Sequence, residues 1–576
     1  MRDMISSLVL FVSFLILACA KSSSRRTGMS LHGYVTSVPA GFVNNGPADP
    51  KSILDLRIAL VQNDKDGLIE ALHNISTPGN PSFGQHLSSN ESAKFTAPSP
   101  QTVAAVNTWL QGAGLNASTI TPAGDWLQFN TTVRVANELL GANFSVFTHI
   151  ATGKQTIRTA NYSIPTDLVG HIEFIHPTIS FPSPSPPPTV FSVRARGLAN
   201  AAPDDCTPDL VTPYCVYRIY GIPLDTVTPA AGSIGVVGIN DEYANEADLS
   251  KFMVHFRPDV KVSRARTFKV EGINGGQNPQ DPKLTGVEAN TDIQYTVGIA
   301  SGVPVTFFSV ARLGDYFIDL ITYLLGQNVR PSILTVSYSV AEADVPKDIA
   351  ERICHGFAEL AAEGMSVIFS SGDGGVGGPS VADRNKCTDG KFVPTFPPSC
   401  PYVTTVGATT LQTTPSGGIT ETGAQYSGGG FSNYFTNQES RWQRGSVQQY
   451  LQRIGSLHKG KFNPDGRALP DVSVVGTNEL IYFKGNVAKV FGTSSSAPIF
   501  ASIIALINVE RGKVNKRPLG FLNEFLYMNP QAFKDITSGR NPGCNTDGFE
   551  ALKDWDAITG LGTPQFDALK AAGLAW

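Results

Sequence analysis

The chain is poor in charge, and this scarcity narrows the classes of protein to which it can belong. Charged residues make up only 16% of its 576 residues, against a typical ~25% for globular proteins. The net charge of −4 and the isoelectric point near 6.2 indicate no basic surface, so we expect no nucleic-acid partner. The chain has no CxxC pair and no Cys/His cluster of the kind that holds zinc. A low charge content suits a protein that works in acid, where carboxylates become neutral.

Long apolar runs are missing beyond the N-terminus. Arg2 is followed by an apolar run from Ile5 to Leu17 and then by Ala18-Cys19-Ala20. A positive start, a short apolar core and an A-x-A site are typical of a secretory signal peptide. We therefore assign residues 1–20 to a signal and expect a secreted, extracellular protein. No later run reaches the ~18 apolar residues of a membrane span, so we expect no membrane partner after signal cleavage.

Glycosylation sequons are missing after residue 165 but frequent before it. Sequons mark the surface loops of exported chains, so this clustering indicates two segments with different surface constraints. The six asparagines are Asn74, Asn90, Asn116, Asn130, Asn143 and Asn161.

A proline-rich stretch from Phe181 to Pro188 divides the chain, since prolines at this density favour polyproline II and exclude the interior of helices and sheets. The basic, small-residue stretch from Arg194 to Ala201 follows it and is an inviting site for cleavage. We expect a pro-domain over residues 21–180, a linker and processing region over 181–200, and the main domain over 201–576. An ordinary N-terminal domain that is retained in the final protein is the alternative.

The cysteine content fits export. Cys19 leaves with the signal, and six cysteines remain, which allow several disulfide connectivities that the sequence does not separate. Two pairs are attractive because each closes a short loop that contains proline: Cys206–Cys215 and Cys387–Cys400. Cys354 and Cys544 would then pair with each other or stay free.

Strand-like and helix-like runs alternate after the linker. This alternation predicts a mostly parallel sheet covered by helices. The strand candidates are Ser233–Ile239, Val305–Val310, Ile333–Ser337 and Val367–Ser370, and the helix candidates are Tyr316–Gly326 and Val345–Glu363.

A loop of small residues from Gly492 to Pro498 opens an apolar, helix-like run and contains Ser494. Free backbone N–H groups collect at a helix start, and the helix dipole there favours developing negative charge. The loop is therefore a good place for a nucleophile. Taken alone, it is also explained as a helix N-cap cluster.

Glu288 and Asp292 are four residues apart, so they share one face of a helix. Like charges at that spacing cost a few tenths of a kcal/mol when both are ionised. A helix that keeps them can use one carboxylate to hold a proton on the other, because two close acids titrate as a coupled pair. The alternative is a solvated acidic face.

Asp373 follows a buried-strand pattern that runs into a glycine-rich turn, Ser371-Gly372-Asp373-Gly374-Gly375. Sites of α/β sheets form in the loops beyond the carboxyl ends of strands. A protonated carboxyl there can donate a hydrogen bond to an oxyanion. Asp beside Gly is also a common turn former.

In this chain order, the three motifs resemble those of the sedolisins, the serine-carboxyl peptidases, and secreted fungal tripeptidyl-peptidases in particular. Two departures stand at Phe491, where the motif often has Ser, and at Ser495, where it usually has Ala. The resemblance implies a subtilisin-like three-layer α/β domain with a mostly parallel sheet. It also implies a preceding α+β activation pro-domain that acts as an intramolecular inhibitor and chaperone; the segment Pro81–Ser88 is similar to that domain.

The resemblance also implies roles. Ser494 attacks the scissile carbonyl, Glu288 takes its proton, Asp292 hydrogen-bonds Glu288, and Asp373 completes the oxyanion hole. A carboxylate base has an ordinary pKa of about 4.3, against about 6.5 for histidine, so this chemistry suits acid. The rival, a subtilisin mechanism, needs a histidine in an HGT-like segment. The histidines after the pro-region lie in no such motif; they are His255, His355 and His458.

Two separated turns near the C-terminus resemble the sedolisin calcium site. Calcium takes six or more oxygens from carboxylates, carbonyls and water. The resemblance implies one structural ion, held by the side chains of Asp535 and Asp556 and by the carbonyls of Ile536, Asp554 and Leu552. The family usually has Gly where Asp554 stands, so this ligand depends on the turn that its backbone adopts. Plain loop acids are the alternative.

Together these features predict a secreted acid serine-carboxyl peptidase, made as a zymogen, that acts on proteins and peptides and releases tripeptides from their N-termini. An acid endopeptidase of the same family is the alternative within the enzyme class. A non-catalytic secreted binding protein on this scaffold would require a missing catalytic residue, and every expected residue is present.

Overall fold

The computed structural model describes residues 28–39, 41–150, 153–181, 189–192, 201–224, 232–239, 241–261, 267–311 and 316–576, with the backbone alone for 189–192. The predicted signal (1–20), the prolines of the linker and most of the predicted cleavage stretch lie outside these residues.

The N-terminal unit combines antiparallel sheets with four helices. Its strands are β1 (Met29–Tyr34), β2 (Phe42–Pro47), β3 (Ile53–Leu60), β4 (Ser118–Thr119), β5 (Trp126–Thr132), β6 (Ser145–His149), β7 (Gln155–Arg158), β8 (Asn161–Pro165) and β9 (Ile172–His176). Its helices are α1 (Lys65–Ser76), α2 (Ser89–Thr96), α3 (Pro100–Gly112) and α4 (Val133–Leu140). The main sheet has the order β4-β5-β3-β9, which is the α+β arrangement that the resemblance implied.

Strand alternation gives this sheet two buried faces. Successive side chains of a strand point to opposite faces, and in β3 Leu56 and Ile58 fill the core of the N-terminal unit. Ala59 belongs instead to a hydrophobic cluster shared with the rest of the chain, as do Trp126 of β5 and Phe174 of β9. One face of the sheet therefore packs against the second unit.

Short strands flank a large central sheet in the second unit. After β10 (Thr189–Ser192) the strands are β11 (Cys206–Thr207), β12 (Leu210–Val211), β13 (Ile234–Gly238), β14 (Phe268–Ile273), β15 (Val305–Val310), β16 (Ile333–Val336), β17 (Val340–Ala341), β18 (Ser366–Ser370), β19 (Thr395–Phe396), β20 (Thr404–Thr413), β21 (Ile419–Gly423), β22 (Gly430–Thr436), β23 (Gly466–Leu469), β24 (Val472–Val475), β25 (Thr477–Phe483), β26 (Asn486–Phe491), β27 (Phe533–Lys534) and β28 (Thr563–Pro564). The central sheet has the order β14-β15-β13-β16-β18-β20-β21, with β24 also on β20. Every pair in it is parallel except β20 with β21.

Helices cover both faces of this sheet. They are α5 (Pro213–Tyr220), α6 (Glu246–Phe256), α7 (Val287–Ile299), α8 (Tyr316–Leu325), α9 (Lys347–Ala362), α10 (Arg444–Ile454), α11 (Thr493–Lys513), α12 (Asn523–Met528) and α13 (Phe566–Ala575). Val236 and Ile368 face the cluster formed with α6, α7 and α11, whereas Val237 and Phe369 face α8 and α9. The predicted three-layer α/β fold is confirmed, and the predicted strands and helices match the observed ones to within two residues at each end.

Helix α11 is the central helix of the unit. It is long and apolar enough to cross a membrane by length and composition, but 94% of its most apolar stretch is buried inside the protein. It packs against α7 and against several strands of the sheet. Its apolar character is therefore explained by its place in the core.

The described residues contain three disulfides, Cys206–Cys215, Cys354–Cys400 and Cys387–Cys544. The expected pair Cys206–Cys215 is confirmed, but the expected pair Cys387–Cys400 is wrong. Short spacing misled that choice, since α9 brings Cys354 beside Cys400 within one hydrophobic cluster. Cys387 instead ties its loop to the C-terminal segment over a separation of 157 residues.

Candidate active site

The predicted nucleophile lies at the start of α11. The chain leaves β26 at Phe491, turns at Gly492 and enters the helix at Thr493. Gly492 has φ of 147°, and a Cβ atom there would lie 2.9 Å from Asp373 Oδ2, so the turn requires glycine. Gly492 itself is the N-cap residue, and the cap has no side-chain hydrogen bond. The serines after it therefore do not serve as a cap, and Ser494 is only 6% exposed.

The two acids of α7 are buried, which excludes a solvated acidic face. Glu288 is 2% exposed and Asp292 is fully buried. Burial raises the pKa of both carboxyl groups well above their ordinary range, and for Glu288 the negative charge of Asp292 adds to this effect. Each group sets the pKa of the other. Two close, buried acids do not both ionise readily, so the pair titrates as a coupled dyad that retains a proton.

The Ser494 hydroxyl is among the groups that set the Glu288 pKa, and it opposes the rise by favouring the charged form. Ser337 joins the acids to the nucleophile turn: its hydroxyl lies 3.0 Å from Asp292 Oδ1 and 3.3 Å from the carbonyl oxygen of Ser494. Ser494 therefore acts on Glu288, Glu288 is coupled to Asp292, and Ser337 ties Asp292 to the backbone of Ser494. Nucleophile, base and orienting group therefore stand in the order that a catalytic triad needs.

Asp373 lies on the opposite side of the nucleophile turn. Its Oδ1 accepts hydrogen bonds from the backbone N–H of Thr493 (2.8 Å) and from the Thr493 hydroxyl (2.9 Å). Both bonds use the same oxygen, so Oδ2 is left to carry a proton. Burial raises the pKa of Asp373 to about 6, although the two bonds from Thr493 act in the opposite direction. Below that pH the group can donate a hydrogen bond.

Strand order explains why these residues meet. Ser337 follows β16 and Asp373 follows β18, and Glu242 comes shortly after β13; these strands are parallel neighbours in the order β13-β16-β18. Their carboxyl ends share one edge of the sheet, where α/β proteins place their sites. Glu242 Oε2 accepts the backbone N–H of Glu288 at 3.0 Å and so fixes the start of α7.

Sequence reasoning missed two of these polar residues. Ser337 ends a predicted strand, but nothing in its spacing indicated a bond to Asp292. Glu242 is far from α7 along the chain, and only the parallel order of β13 and β16 brings it to Glu288. A search for polar residues just beyond consecutive predicted strands would have found both.

The histidines of a subtilisin-type base are elsewhere. His255 contacts the Tyr482 hydroxyl and the Ala201 carbonyl. His355 stacks on Tyr402, and His458 contacts the Gly548 carbonyl. None of the contacts identified for these rings reaches Ser494, so a carboxylate is the base that the site offers.

The five residues of the expected calcium site lie on two adjoining turns. The backbone N–H of Asp554 donates to Asp535 Oδ2 at 2.9 Å, and that of Leu552 lies 3.2 Å from Asp556 Oδ2. Asp554 has φ of 63°, the left-handed conformation that glycine favours, so its backbone adopts the turn expected of a glycine at this position.

The chemistry of this set fits a hard cation. Asp556 is fully buried, and burial raises its pKa to about 8. Its partners are backbone N–H groups and the Thr559 hydroxyl, with no basic side chain paired to it among the described residues. No group of three or more His, Cys, Asp or Glu side chains that could hold a metal is found within the part of the chain that the structure describes. The expected set has only the carboxylates of Asp535 and Asp556 and takes its other oxygens from backbone carbonyls.

Comparison with known proteins places this geometry in a family. Residues 40–181 match the model of the pro-kumamolisin activation domain. The chain is 34% identical to tripeptidyl-peptidase SED2 of Arthroderma otae, over 97% of this chain and 99% of that protein. It is also 34% identical to the probable tripeptidyl-peptidase SED2 of Arthroderma benhamiae, over 98% and 99% of the two chains.

Among solved structures, the chain is similar to a Pseudomonas sedolisin, a serine-carboxyl proteinase complexed with two molecules of pseudo-iodotyrostatin. The identity is 26% and the TM-score 0.50, over 62% of this chain and 96% of that one. The near full-length match to the fungal proteins includes the activation segment as well as the peptidase unit. The chain belongs to the sedolisin family of serine-carboxyl peptidases.

Proposed function

We propose that the protein is a peptidase that works in acid, with Ser494 as nucleophile, Glu288 as general base, Asp292 as its orienting partner and Asp373 as an oxyanion donor. The observation that carries this assignment is the burial of Glu288 and Asp292 at the nucleophile turn, where the Ser337 hydroxyl joins Asp292 Oδ1 to the carbonyl oxygen of Ser494. A dyad of this kind holds one proton and can accept a second, which is what a general base must do.

The chemistry follows from these contacts. Ser494 Oγ attacks the scissile carbonyl carbon while its proton passes to Glu288. The carbonyl oxygen becomes an oxyanion, which takes hydrogen bonds from the protonated Asp373 and from the backbone N–H of Ser494. Glu288 returns its proton to the leaving amine, and an acyl-enzyme forms. Water then attacks the acyl carbon while Glu288 accepts its proton. Glu288 passes that proton to Ser494 Oγ as the ester C–O bond breaks and the acid product leaves.

We propose that the enzyme removes tripeptides from the free N-termini of proteins and peptides. The support for this mode is the near full-length similarity to the fungal tripeptidyl-peptidases. An acid endopeptidase is the second candidate, because both modes use the same catalytic groups. Mass analysis of the products of one defined peptide at pH 4 separates them: successive losses of three residues support the proposal, and early internal fragments contradict it.

We propose that residues 21–180 are a pro-domain that assists folding and blocks the site, and that the linker at 181–200 is cut to release the catalytic domain at 201–576. The match of residues 40–181 to an activation domain supports this reading. The packing of the N-terminal sheet against α9 supports it too. A further support is the pairing of β10 with β26, the strand that leads to the nucleophile. The signal-like start and the sequons support secretion to the extracellular space.

We propose one structural calcium ion at Asp535, Ile536, Leu552, Asp554 and Asp556. A bound cation would neutralise the buried Asp556 carboxylate and tie the C-terminal turns together. Its place away from Ser494 gives it no part in bond cleavage.

The activity is tested with Ser494→Ala and the wild type on an unfolded protein at pH 4. Hydrolysis by the wild type alone supports the proposal. Equal hydrolysis by both proteins would assign the nucleophile elsewhere, and no hydrolysis by a processed wild type would favour a binding protein.

A further inference from the structure

Glu479 is a buried acid that the proposed mechanism does not use, and its strand leads toward the nucleophile turn. Glu479 is fully buried on β25, and β25 and β26 form the hairpin whose end delivers the chain to Gly492 and Ser494. Neither carboxyl oxygen of Glu479 makes a well-aligned hydrogen bond within the described residues. A buried acid in this condition is costly unless it is neutral.

The contacts of Glu479 point to the nucleophile turn. Asn478 has φ of 64°, and the register of β25 on β26 shifts between Thr477 and Glu479. The groups that favour the charged form of Glu479 are the backbone amides of Thr477 and of Glu479 itself and the hydroxyl of Ser495. Ser495 directly follows Ser494 and stands where relatives of this motif usually have Ala. The acid therefore acts on the residue next to the nucleophile.

No positive charge faces Glu479 among the described residues in contact with it. The neighbouring strands place Val211 and Val490 opposite it. The titratable groups that face it are the phenols of Tyr295, from α7, and of Tyr426, from the loop after β21. The Tyr426 phenol also faces the acid Asp373. Ionisation of Glu479 would therefore place an unpaired negative charge in an apolar site next to the start of α11.

We propose that Glu479 is a positioning residue for the nucleophile turn: its neutral carboxyl supports Ser495 during catalysis, and its ionisation displaces the turn and inactivates the enzyme as the pH rises. This inference rests on the assignment of Ser494 as nucleophile. Acting through Ser495, Glu479 touches neither the substrate nor the reacting atoms.

The sign of the pH effect follows from linkage. Burial raises the pKa of Glu479 to about 8, from an ordinary 4.5. Between these two values the native state binds a proton that the unfolded state has lost, so the stability of the native state falls as the pH rises. Below pH 4.5 both states are protonated and the group costs nothing. The expected loss lies in the neutral range, above the pH at which Asp373 titrates.

The test separates this loss from the reversible titration of Asp373. The mature wild type and Glu479→Gln are incubated at pH values from 5 to 9 and are always assayed after return to pH 4. Gln has the shape of the neutral acid but cannot ionise, so we expect it to lose activity about tenfold more slowly at pH 8. Glu479→Leu should lower kcat about tenfold at unchanged KM, and Gln should restore most of that loss.

Glu342→Gln is the matched control. Glu342 is also buried with a raised pKa, but it accepts hydrogen bonds from Ser432 and Asn433, away from the nucleophile turn. Glu342→Gln should lose activity at pH 8 at the same rate as the wild type. Equal rates of loss in Glu479→Gln and the wild type would overturn the proposal.

Ser495→Ala gives a second reading if Glu479→Gln does not mature. It removes a donor that favours the charged carboxylate, so the pH of half-loss should move upward, and no upward movement would overturn the proposal. Ser494→Ala, assayed in parallel, should be inactive at every pH; activity in that variant would instead refute the nucleophile assignment on which the inference rests.

Discussion

Two sets of buried acids in this protein have opposite partners. In the proposed active site, Glu288, Asp292 and Asp373 lie among hydroxyl groups, backbone amides and one another, with no basic group among the interactions that set their pKa values. Where the N-terminal unit docks on α9, the acids instead face cations. There Arg352 lies 2.7 Å from Asp125 Oδ2 and 2.9 Å from Glu173 Oε2.

The difference teaches that buried acids in this protein are neutralised in two ways, by protons or by cations. Burial raises the pKa of Asp373 to about 6, so acid gives it the protonated form that it needs to donate a hydrogen bond. At the docking face, Arg352 supplies the neutralising charge instead, and its contacts hold the N-terminal unit on α9. Further contacts of this face follow the same pattern, such as His73 with Glu524 at 2.8 Å and Arg57 with Asp319.

The largest effect should come from the site itself. Ser494→Ala should abolish both hydrolysis and self-removal of the pro-segment, leaving a precursor of nearly full length. Glu288→Gln keeps the shape but removes the base, and it should lower kcat by about 10²–10⁴-fold. Gel analysis of processing and single-turnover rates at pH 4 measure both. Normal processing of Ser494→Ala without a helper protease would contradict the assignment.

The second effect concerns Asp373 and the alkaline limb of the pH profile. The protonated acid is the donor, and its pKa is raised to about 6, so activity should be present below that pH and fall as the pH rises through it. Asp373→Asn donates at every pH but with altered geometry. We expect a loss of about 10²–10³-fold in kcat and a flattened alkaline limb. An unchanged limb in Asp373→Asn would show that another group sets it.

The sequence predicted the parts of the site that depend on local spacing. The i, i+4 pair Glu288 and Asp292 and the loop before α11 were visible because a helix fixes which residues share a face. Ser337 and Glu479 were not, since each meets its partner through strand order or a bulge that leaves no periodic signal. The pairing Cys354–Cys400 was missed for the same reason. Local rules identified the elements, and contacts between distant segments decided the rest.

The third effect comes from weakening the docking face, where the N-terminal unit packs on α9. Arg352→Met leaves the buried Asp125 without its cation, while Glu173 keeps its pair with Lys65. Loss of one side of a buried ion pair costs about 3–5 kcal/mol. The zymogen should unfold at lower temperature and should begin to process itself at a higher pH than the wild type. Thermal unfolding at pH 7 and a pH series of processing measure this.

Lys347→Met, on the same helix, is the control for this change. Its pair with Glu351 is exposed and 3.6 Å long, so its effect should stay below about 1 kcal/mol. Equal shifts in the two variants would show that Arg352 does not hold the N-terminal unit.

The smallest effect concerns Asp556, a buried acid outside both sets, whose expected partner is a metal ion. Binding to the native state alone stabilises it by roughly 2.7 kcal/mol when calcium is a hundredfold above its Kd. Asp556→Asn should therefore lower Tm and promote autolysis, with little change in the initial rate at pH 4.

Chelator should lower the Tm of the wild type but not that of the variant. Protons compete with calcium for the same carboxylates, so calcium stabilises the wild type less in acid, and the effect of chelator on its Tm should shrink as the pH falls. Metal analysis of both purified proteins decides the matter: equal calcium content and equal Tm would leave Asp535 and Asp556 as ordinary loop acids.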